Sequence, residues 1–341
     1  MTWSEGAKVE AAVDRAGASP QSGPRVTVIV PVYNRVRFLP QAIQSVLGQS
    51  HRNIQTIVVD DGSPLDVRQT MAAFGDAVEF YHKPQGGPAS ARNFGVKRAR
   101  GDFLLFLDDD DFLEPTAVEC LLAAIREHPD LAWAAGRLGY VDENCKRLPL
   151  AHRHRLQSGD VYADMIRNNL IGTPSTVLVR REVICGLGGF DESPVYQLCE
   201  DYDLWLTLAR DFPITAVAEV VSNYRYHAGN ATRQWACFYR AWLAVLEKNR
   251  ARARPGFDPV FQQSIGQVHV NFADELYVHG QHAEARRQWA LACRADGRLR
   301  KNLLWRYSKS YVPPGLLQVL RGVHRRLFGA ADPDPRQEMY R

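Results

Sequence analysis

Four consecutive aspartates, Asp108 to Asp111, follow five apolar residues in the stretch FLLFLDDDDF, residues 103–112. The apolar run is typical of a buried strand, whereas neighbouring carboxylates repel one another. Carboxylate oxygens are the ligands that Mg²⁺ and Mn²⁺ prefer. Side chains at i and i+2 of an extended segment point the same way, so we expect Asp108 and Asp110 to share one ligand while Asp109 faces elsewhere. The run predicts a divalent metal site at the end of a core strand.

A second interpretation of the aspartate run is a solvated acidic turn before the next helix. The following EPTAVECLLAAI has Pro115 in its first turn, and acidic side chains complement a helix N-terminus. The neighbouring motif VVDDGS favours the metal site, because it places Asp60 and Asp61 after another apolar run. A helix cap would explain the acids after one strand but not the acids after both.

Three apolar segments at residues 26–34, 54–64 (which ends in a turn) and 103–107 predict buried strands, and helical spacing at 36–50 and 86–101 predicts the helices between them. Unbroken apolar strands alternating with helices indicate an α/β fold with a mostly parallel sheet covered on both faces. Ligands of such sheets bind beyond the carboxyl ends of the strands. The three ends carry Pro31, Tyr33, Asn34 and Arg35, then Asp60 and Asp61, then the aspartate run.

Four segments resemble glycosyltransferase family 2 in their order and spacing. They are VTVIVPVYNR, IVVDDGS, GGPASARNFGVKRARGDFLLFLDDDDFLEP and CEDYDLW, and together they span roughly residues 25–230. The resemblance implies the GT-A fold, a Rossmann-like, mostly parallel and doubly wound sheet. It also implies an enzyme that takes a nucleotide-activated sugar, most often a UDP-sugar, uses Mn²⁺ or Mg²⁺, and inverts the anomeric centre.

The resemblance gives the end of the first strand a donor-binding role. Pro31 and Tyr33 would line the base pocket, and Arg35 would reach the diphosphate, with Asn34 between them. The same residues also fit a strand-to-helix turn with Asn34 as N-cap. Both interpretations can hold together, because a helix N-terminus favours an anion.

Two further residues resemble donor contacts of the family. Asp61 resembles the carboxylate that accepts a hydrogen bond from N3–H of the base, although a plain Asp-Gly turn fits equally well. Arg92 resembles a residue that contacts the base or the phosphates, and its alternative is an ordinary surface arginine on a helix.

The family's DxD motif is matched by Asp108 and Asp110, which implies that both bind the metal, with Asp110 as the foremost ligand. Asp109 would instead bind the ribose, and Asp108 would also face the donor. His227 corresponds to a third metal ligand or diphosphate contact in some relatives, while a structural histidine is the alternative. Arg225 and Arg233 are candidates for neutralising the leaving group.

Inverting transfer requires a base on the face of the sugar opposite the leaving diphosphate. Asp201 resembles that base in the family's ED motif, and Glu200 would support it or contact the sugar. The alternative is that two acids at a helix N-terminus complement its dipole. Residues 168–183 are expected to cover the sheet and line the acceptor side, with Thr173 to Thr176 as acceptor contacts.

Charge divides the chain near residue 232. Residues 232–341 hold 19 Lys and Arg against 9 Asp and Glu, whereas residues 1–231 hold 23 against 29. We therefore predict a disordered leader at 1–24, a GT-A catalytic domain at 25–231 and a basic helical region at 232–341. The leader has no apolar core of the signal-peptide kind, and the six scattered cysteines favour reduced thiols in the cytoplasm.

The C-terminal part contains a stretch, 297–331, with eight Lys or Arg and no acidic residue, interleaved with aromatic residues and leucines. Such a basic amphipathic segment can lie on an anionic membrane surface, which would suit a lipid-linked or glycan acceptor at the inner face of the cell membrane. The alternative is a helical bundle with a solvated basic face. Nucleic acid is not an expected partner, because the acidic strand ends repel phosphates unless metal is bound.

The favoured function is an inverting, metal-dependent glycosyltransferase of surface polysaccharide or glycoconjugate synthesis. One alternative is a non-catalytic nucleotide-sugar-binding protein of the same fold, although the presence of both DxD and Glu200–Asp201 argues against it. Another is a metal-dependent nucleotidyltransferase, which would need a Gly-rich loop where this chain has PVYNR. The sequence leaves the donor sugar, the acceptor and the oligomeric state open.

Overall fold

A computed structural model describes residues 23–128, 131–150, 156–230 and 234–300, together with 303 and 306. The strands are β1 (Val26–Val32), β2 (Ile54–Asp60), β3 (Glu79–His82), β4 (Phe103–Phe106), β5 (Phe112–Leu113), β6 (Trp133–Val141), β7 (Val177–Arg180) and β8 (Ile214–Arg225). The helices are α1 (Leu39–Leu47), α2 (Val67–Met71), α3 (Pro88–Val96), α4 (Ala117–Glu127), α5 (Tyr162–Arg167), α6 (Arg181–Leu187), α7 (Glu200–Asp211), α8 (Trp235–Arg250), α9 (Asp258–Val278) and α10 (His282–Ala295).

The strands form one sheet in the order β3-β2-β1-β4-β7-β6-β8-β5. β1 pairs in parallel with β2 and β4, β2 with β3, and β6 with β8. β7 is antiparallel to both of its neighbours, and β5 is antiparallel to β8. The predicted α/β fold with a mostly parallel sheet is confirmed, and its two antiparallel strands make the sheet mixed.

The sheet is covered on both faces, as its apolar strands predict. All seven residues of β1 are buried, and alternate residues of β1 face two separate apolar cores. Ile29 belongs to the core that includes residues of α3, α5 and α7, whereas Val28 and Val30 belong to the core that includes residues of α1 and α4. Helices therefore cover both faces of the sheet.

The C-terminal helices continue the core of the sheet. Val245 and Leu246 of α8 and Phe261 and Ile265 of α9 belong to the same apolar cluster as Trp205 of α7. A smaller cluster then joins α9 to α10. No helix among the described residues is long and apolar enough to cross a membrane. The predicted leader 1–24, apart from its last two residues, and most of the stretch 297–331 lie outside the described residues.

Two expectations about local structure are wrong. Residues 168–183 do not cover the sheet: Val177–Arg180 form β7, a central strand between β4 and β6. Asn34 is not the N-cap of α1, which begins at Leu39 with Phe38 as its cap. Asn34 instead has φ +54°, and its backbone N–H donates to Ser63 Oγ at 2.8 Å.

Candidate active site

The carboxyl ends of β1, β2, β4, β6 and β8 meet at one edge of the sheet, called the rim below, because these strands run in the same direction. β7 runs in the opposite direction, so its amino end, preceded by Thr173, reaches the same edge. The rim therefore gathers side chains that are far apart in the sequence. Asp61, Asp108, Thr173 and His227 all lie there.

The four aspartates occupy a turn rather than an extended segment. Asp111 N–H donates to Asp108 O at 3.1 Å, so the chain reverses within the run. The extended geometry expected for the run is therefore wrong, whereas the sharing of a metal by Asp108 and Asp110 stays a prediction. Asp109 and Asp110 both contact Arg35, whereas Asp108 and Asp111 both contact Thr173.

Two of the carboxylates, Asp108 and Asp111, are held by the residues that precede β7. Thr173 Oγ1 lies 3.2 Å from Asp108 Oδ2 and 3.1 Å from Asp111 Oδ2, so its single hydroxyl proton is shared between the two carboxylates. Ser175 Oγ donates to Asp111 Oδ2 at 2.8 Å. Burial, followed by the charges of Asp110 and Asp108, raises the pKa of Asp111 well above its usual range. Thr173 and Ser175 were predicted as acceptor contacts, yet in the structure they support the aspartate turn.

The other two carboxylates share a guanidinium. Arg35 Nη2 lies 2.9 Å from Asp109 Oδ1, and Arg35 Nη1 forms a short ion pair with Asp110 Oδ2. Asp109 is buried and, among the described residues, makes no hydrogen bond of good geometry, so its charged contact is the ion pair with Arg35. Burial raises the pKa of Asp109 well above its usual range. Although burial opposes it, the contacts with His227 and Arg35 lower the pKa of Asp110.

His227 is buried beside Asp110, with Nε2 at 3.0 Å from Asp110 Oδ2. Its other ring nitrogen, Nδ1, accepts a hydrogen bond from Gly229 N–H at 3.1 Å. A neutral imidazole carries one proton, so in this arrangement Nε2 carries it and donates to Asp110. If Nε2 instead bound a metal, the proton of the neutral imidazole would lie on Nδ1. Nδ1 would then no longer accept the hydrogen bond from Gly229 N–H.

Arg92 connects the aspartate turn to the ED motif. Its Nη2 donates to Asp108 Oδ1 at 2.8 Å, and its Nη1 donates to Glu200 Oε1 at 2.7 Å. The side chain is buried against the ring of Phe190, so it is not the exposed helix arginine of the alternative interpretation. Burial opposes the charge of Arg92, but Asp108 and Glu200 outweigh it and raise the pKa further above its usual range.

Glu200 and Asp201 begin α7, as predicted. The chain enters this helix through Leu198, whose φ of +81° is unusual for a bulky residue. Leu198 N–H donates to Glu200 Oε2 at 2.9 Å, which together with Arg92 fixes both oxygens of Glu200. Burial and then the charge of Glu200 raise the pKa of Asp201 to about 7, although Arg92 opposes this. Asp201 accepts one hydrogen bond, from Tyr202 N–H at 2.7 Å.

The ends of β1 and β2 carry the residues predicted to bind the donor. Pro31 is buried within β1, whereas the Tyr33 side chain is 43% exposed beside the rim. Asp61 is buried and accepts hydrogen bonds from Lys83 Nζ at 2.6 Å and Gly87 N–H at 2.7 Å. Asp61 thus holds the loop that precedes α3, and Lys83 is a contact that the sequence did not reveal.

Arg225 supports the aspartate turn from below. Its Nε donates to Asp110 O at 3.0 Å, and its Nη2 donates to Gln41 Oε1 at 2.7 Å. The guanidinium therefore contacts backbone and amide oxygens, not an open cavity. Arg233, the other predicted neutralising cation, lies outside the described residues.

The donor set at the rim fits a divalent cation. Among the residues described, no three His, Cys, Asp or Glu side chains converge as a preformed metal centre. Mg²⁺ usually binds through one or two carboxylates together with substrate phosphates, so a complete protein cage is not required. The aspartate turn supplies such carboxylates, and both side-chain oxygens of the buried Asp109 lack a hydrogen bond of good geometry among the described residues.

A cavity of about 280 Å³ lies next to the ED motif. Its walls are the loop before α3 and the loop before α7, called below the 190–198 loop. The lining residues are Gln85, Gly86, Gly87, Pro88, Ala89, Asp191, Glu192, Ser193, Pro194, Gln197 and Glu200. The cavity thus joins the loop held by Asp61 to the carboxylate held by Arg92.

Known proteins match both the sequence and the fold. A family model described as Glycosyl transferase family 2 matches residues 27–186. An uncharacterized glycosyltransferase of Rickettsia typhi is 31% identical over 235 residues, which cover 66% of this chain and 72% of that protein. The chain therefore belongs to glycosyltransferase family 2.

Other relatives differ in length. An uncharacterized glycosyltransferase of Rickettsia conorii is 30% identical over 213 residues, or 61% of this chain, and the chain spans only 34% of that protein. TuaG of Bacillus subtilis, named as a teichuronic acid biosynthesis glycosyltransferase, is 28% identical over 233 residues that cover 67% of this chain and 89% of that protein.

Solved structures share the fold. TarS of Staphylococcus aureus in complex with UDP-GlcNAc has a TM-score of 0.60 at 18% identity, covering 79% of each chain. The mannosyltransferase PcManGT of Pyrobaculum calidifontis in complex with GDP-Man and Mn²⁺ has a TM-score of 0.56 at 17% identity, covering 89% of this chain and 81% of that one. The predicted GT-A fold is confirmed by these likenesses.

Proposed function

We propose that the protein transfers a sugar from a nucleotide-sugar donor to a hydroxyl group of an acceptor, with inversion at the anomeric carbon. The observation that carries this proposal is the Arg92 bridge, which joins the aspartate turn to Glu200 beside Asp201. Inverting transfer needs a diphosphate-binding group and a base on opposite sides of the same sugar. Membership of glycosyltransferase family 2 supports the same activity.

The donor would lie along the rim. Tyr33 and Pro31 would face the base, and Asp61 would contact it near the loop of Gly86 and Gly87. Arg35 has a partly exposed side chain at the aspartate turn, and it would contact the diphosphate there. Asn34 joins these residues in the same turn. The bound donors UDP-GlcNAc in TarS and GDP-Man in PcManGT support a nucleotide-sugar partner, and a UDP-sugar is the one we propose.

Asp110 and Asp108 would hold Mn²⁺ or Mg²⁺, with His227 as a third ligand or as the hydrogen-bond donor that orients Asp110. A cation held there would supply positive charge that stabilises the leaving diphosphate. Asp109 would bind the ribose or help Arg35 stay in place. The Mn²⁺ in the related PcManGT complex supports a divalent cation at this site.

Asp201 would take the proton of the acceptor hydroxyl as that oxygen attacks the anomeric carbon. A carboxylate with a pKa near 7 is better matched to this task than an ordinary aspartate, because a base works best when its pKa lies near the working pH. Glu200, held by Arg92 and Leu198 N–H, would contact the sugar and keep a negative charge next to the base. The electron pair of the broken glycosidic bond leaves with the nucleoside diphosphate.

The acceptor we propose is a glycan or lipid-linked glycan of a surface polysaccharide or glycoconjugate. The name of TuaG, which refers to teichuronic acid biosynthesis, supports this class. The catalytic domain would extend over residues 25–231. The basic segment 297–331 would hold the protein on the anionic inner face of the cell membrane.

A donor screen tests the proposed function. Thermal shift with a panel of UDP-glucose, UDP-galactose, UDP-GlcNAc and GDP-mannose should show Mn²⁺-dependent stabilisation by one of them. Transfer should then release the matching nucleoside diphosphate. No stabilisation by any donor and no diphosphate release with lipid-linked or glycan acceptors would contradict the proposal.

A sedimentation experiment tests the membrane contact. Replacing Arg321, Arg325 and Arg326 by glutamate should release the protein from vesicles that contain phosphatidylserine. Pure phosphatidylcholine vesicles are the control and should bind both forms equally weakly. Equal sedimentation of both forms with the anionic vesicles would contradict membrane binding through this segment.

A further inference from the structure

Lys248 of α8 lies at the junction of three elements around the cavity. Its Nζ donates to Asp191 Oδ2 at 2.8 Å and to Asp203 Oδ2 at 2.6 Å, and it lies 4.6 Å from the ring centroid of Tyr196. An ammonium group has three N–H donors, and these partners engage it from three directions. Asp191 and Tyr196 belong to the 190–198 loop, whereas Asp203 belongs to α7.

Asp203 lies in the first turn of α7, two residues after Asp201, and is buried. Its other oxygen accepts a hydrogen bond from Asn249 Nδ2 at 2.8 Å, so two consecutive residues of α8 bind this carboxylate. Burial opposes the charge of Lys248, but the bonds to Asp191 and Asp203 outweigh it and raise the pKa of the ammonium group. The cation is therefore retained at neutral pH.

The two ends of the 190–198 loop are held by contacts other than Lys248. Its first residues are held by Asn93 of α3, which donates to Phe190 O and to Glu192 Oε1, both at 2.8 Å. It is entered through Gly188 and Gly189, both with positive φ, and left through Leu198. Lys248 joins Asp191 of this loop to Asp203 of α7, and the loop forms one wall of the cavity.

We propose that Lys248 is a positioning residue: it fixes the 190–198 loop against α7 and so shapes the cavity that receives the transferred sugar beside Asp201. This inference rests on the proposed function. It assigns a task in the active site to α8, a helix beyond the predicted catalytic domain. The nucleoside diphosphate moiety would lie at the rim, away from Lys248, so the effect should be confined to the sugar.

The test compares Lys248→Met, Asp191→Asn and the double variant with a matched control, Arg250→Met. Arg250 lies on the same helix and is ion-paired with Asp258 on α9, away from the cavity. Affinities are measured by calorimetry with Mn²⁺ for the tightest donor of the four-sugar panel and for its own nucleoside diphosphate. Circular dichroism and Tm verify folding.

Lys248→Met should weaken the nucleotide sugar about tenfold and the nucleoside diphosphate less than twofold. Asp191→Asn should weaken the nucleotide sugar about threefold and leave the nucleoside diphosphate less affected. The double variant should bind like Lys248→Met alone, because both substitutions remove the same Lys248–Asp191 contact. Arg250→Met should bind both ligands like the wild type. Equal weakening of both ligands, no weakening, or additive effects in the double variant would overturn the proposal.

Asp191 has a partly exposed side chain, so Asp191→Asn decides the question if Lys248→Met does not fold. A selective loss of nucleotide-sugar affinity in that variant supports the proposal, and an unselective loss or none overturns it. The wild type separates this inference from the proposed function. If the wild type binds no donor of the panel, both fail. If it binds one and the variants show no selectivity, only the role of Lys248 fails.

Discussion

Asp108 and Glu200 share one guanidinium, since Arg92 donates to Asp108 Oδ1 at 2.8 Å and to Glu200 Oε1 at 2.7 Å. The two carboxylates come from different parts of the fold, the turn after β4 and the start of α7. The buried cation allows them to lie close together despite their like charge. It also places Asp201 within the electrostatic reach of Asp108.

Arg92→Met should destabilise the protein strongly. It leaves Glu200 buried without its cation, and removing one partner of a buried ion pair costs about 3–5 kcal/mol. Arg100→Met is the matched control, because Arg100 pairs with Glu79 at the surface, where a pair is worth about 1 kcal/mol or less. Urea unfolding of both variants measures the difference. Similar losses in the free energy of unfolding would show that the bridge does not bear on stability.

Asp110→Ala should remove most transfer activity and most of the Mn²⁺-dependent affinity for the donor. The substitution deletes the carboxylate that Arg35 and His227 orient at the rim. Calorimetry with Mn²⁺ and with EDTA separates the two contributions, and the EDTA affinities of wild type and variant should agree. An Asp110→Ala variant that keeps the full Mn²⁺ effect would locate the cation elsewhere.

The activity should depend on pH through Asp201, whose pKa is raised to about 7 by burial and by Glu200. The protonated carboxyl group cannot accept the acceptor's proton, so kcat/KM should rise with pH and level off above about 7. The same raised pKa makes the stability of the fold change with pH in the opposite direction: activity rises with pH, whereas the free energy of unfolding falls. The folded state holds this proton more tightly than the unfolded chain, so the contribution of Asp201 to folding is lost as pH rises from about 4 to about 7.

A pH profile of kcat/KM between about pH 5.5 and 8.5 measures the first effect. Mn²⁺ must be saturating at every pH. Otherwise, loss of Mn²⁺ on protonation of the aspartate turn would also lower kcat/KM at low pH. A profile that is flat across this range would exclude a base with the pKa of Asp201.

Asn34 should respond to substitution as a left-handed residue rather than as a helix cap. Its φ of +54° suits Asn and Gly, whereas Ala pays roughly 1–2 kcal/mol for this conformation. Asn34→Ala should therefore lower the free energy of unfolding by about 1 kcal/mol more than Asn34→Gly. Thermal or urea unfolding of the two variants provides the comparison. Equal stability of both would mean that the turn relaxes to another conformation.

The sequence predicted the residues of the rim better than the way they pair. Long apolar strands ending in acids are a local signal, and they located the aspartate run and Asp61 correctly at one edge of the sheet. The extended geometry expected within the run was wrong, because the i and i+2 rule assumes an extended chain and the chain turns at Asp108–Asp111. Thr173 contacts both Asp108 and Asp111, and no pattern in the neighbouring sequence predicts this long-range contact.

The strands that were missed lack a clear pattern. β6 contains Gly136, Arg137 and Gly139 and has an irregular register against β8, which hides its alternation. β7 is four residues long and follows a short helical turn, so it was interpreted as a covering segment. Lys248 is an ordinary helix lysine in the sequence, and only the packing of α8 against α7 reveals its two carboxylate partners.

The most direct test of the account is the transfer rate of Asp201→Asn, measured as nucleoside diphosphate release with Mn²⁺, the best donor and a glycan acceptor. The amide keeps the shape of the carboxylate but does not act as a base. The account predicts that turnover falls by at least about 100-fold while calorimetric affinity for the nucleotide sugar stays within about twofold of the wild type. Turnover close to that of the wild type would contradict the assignment of Asp201 as the group that takes the acceptor's proton.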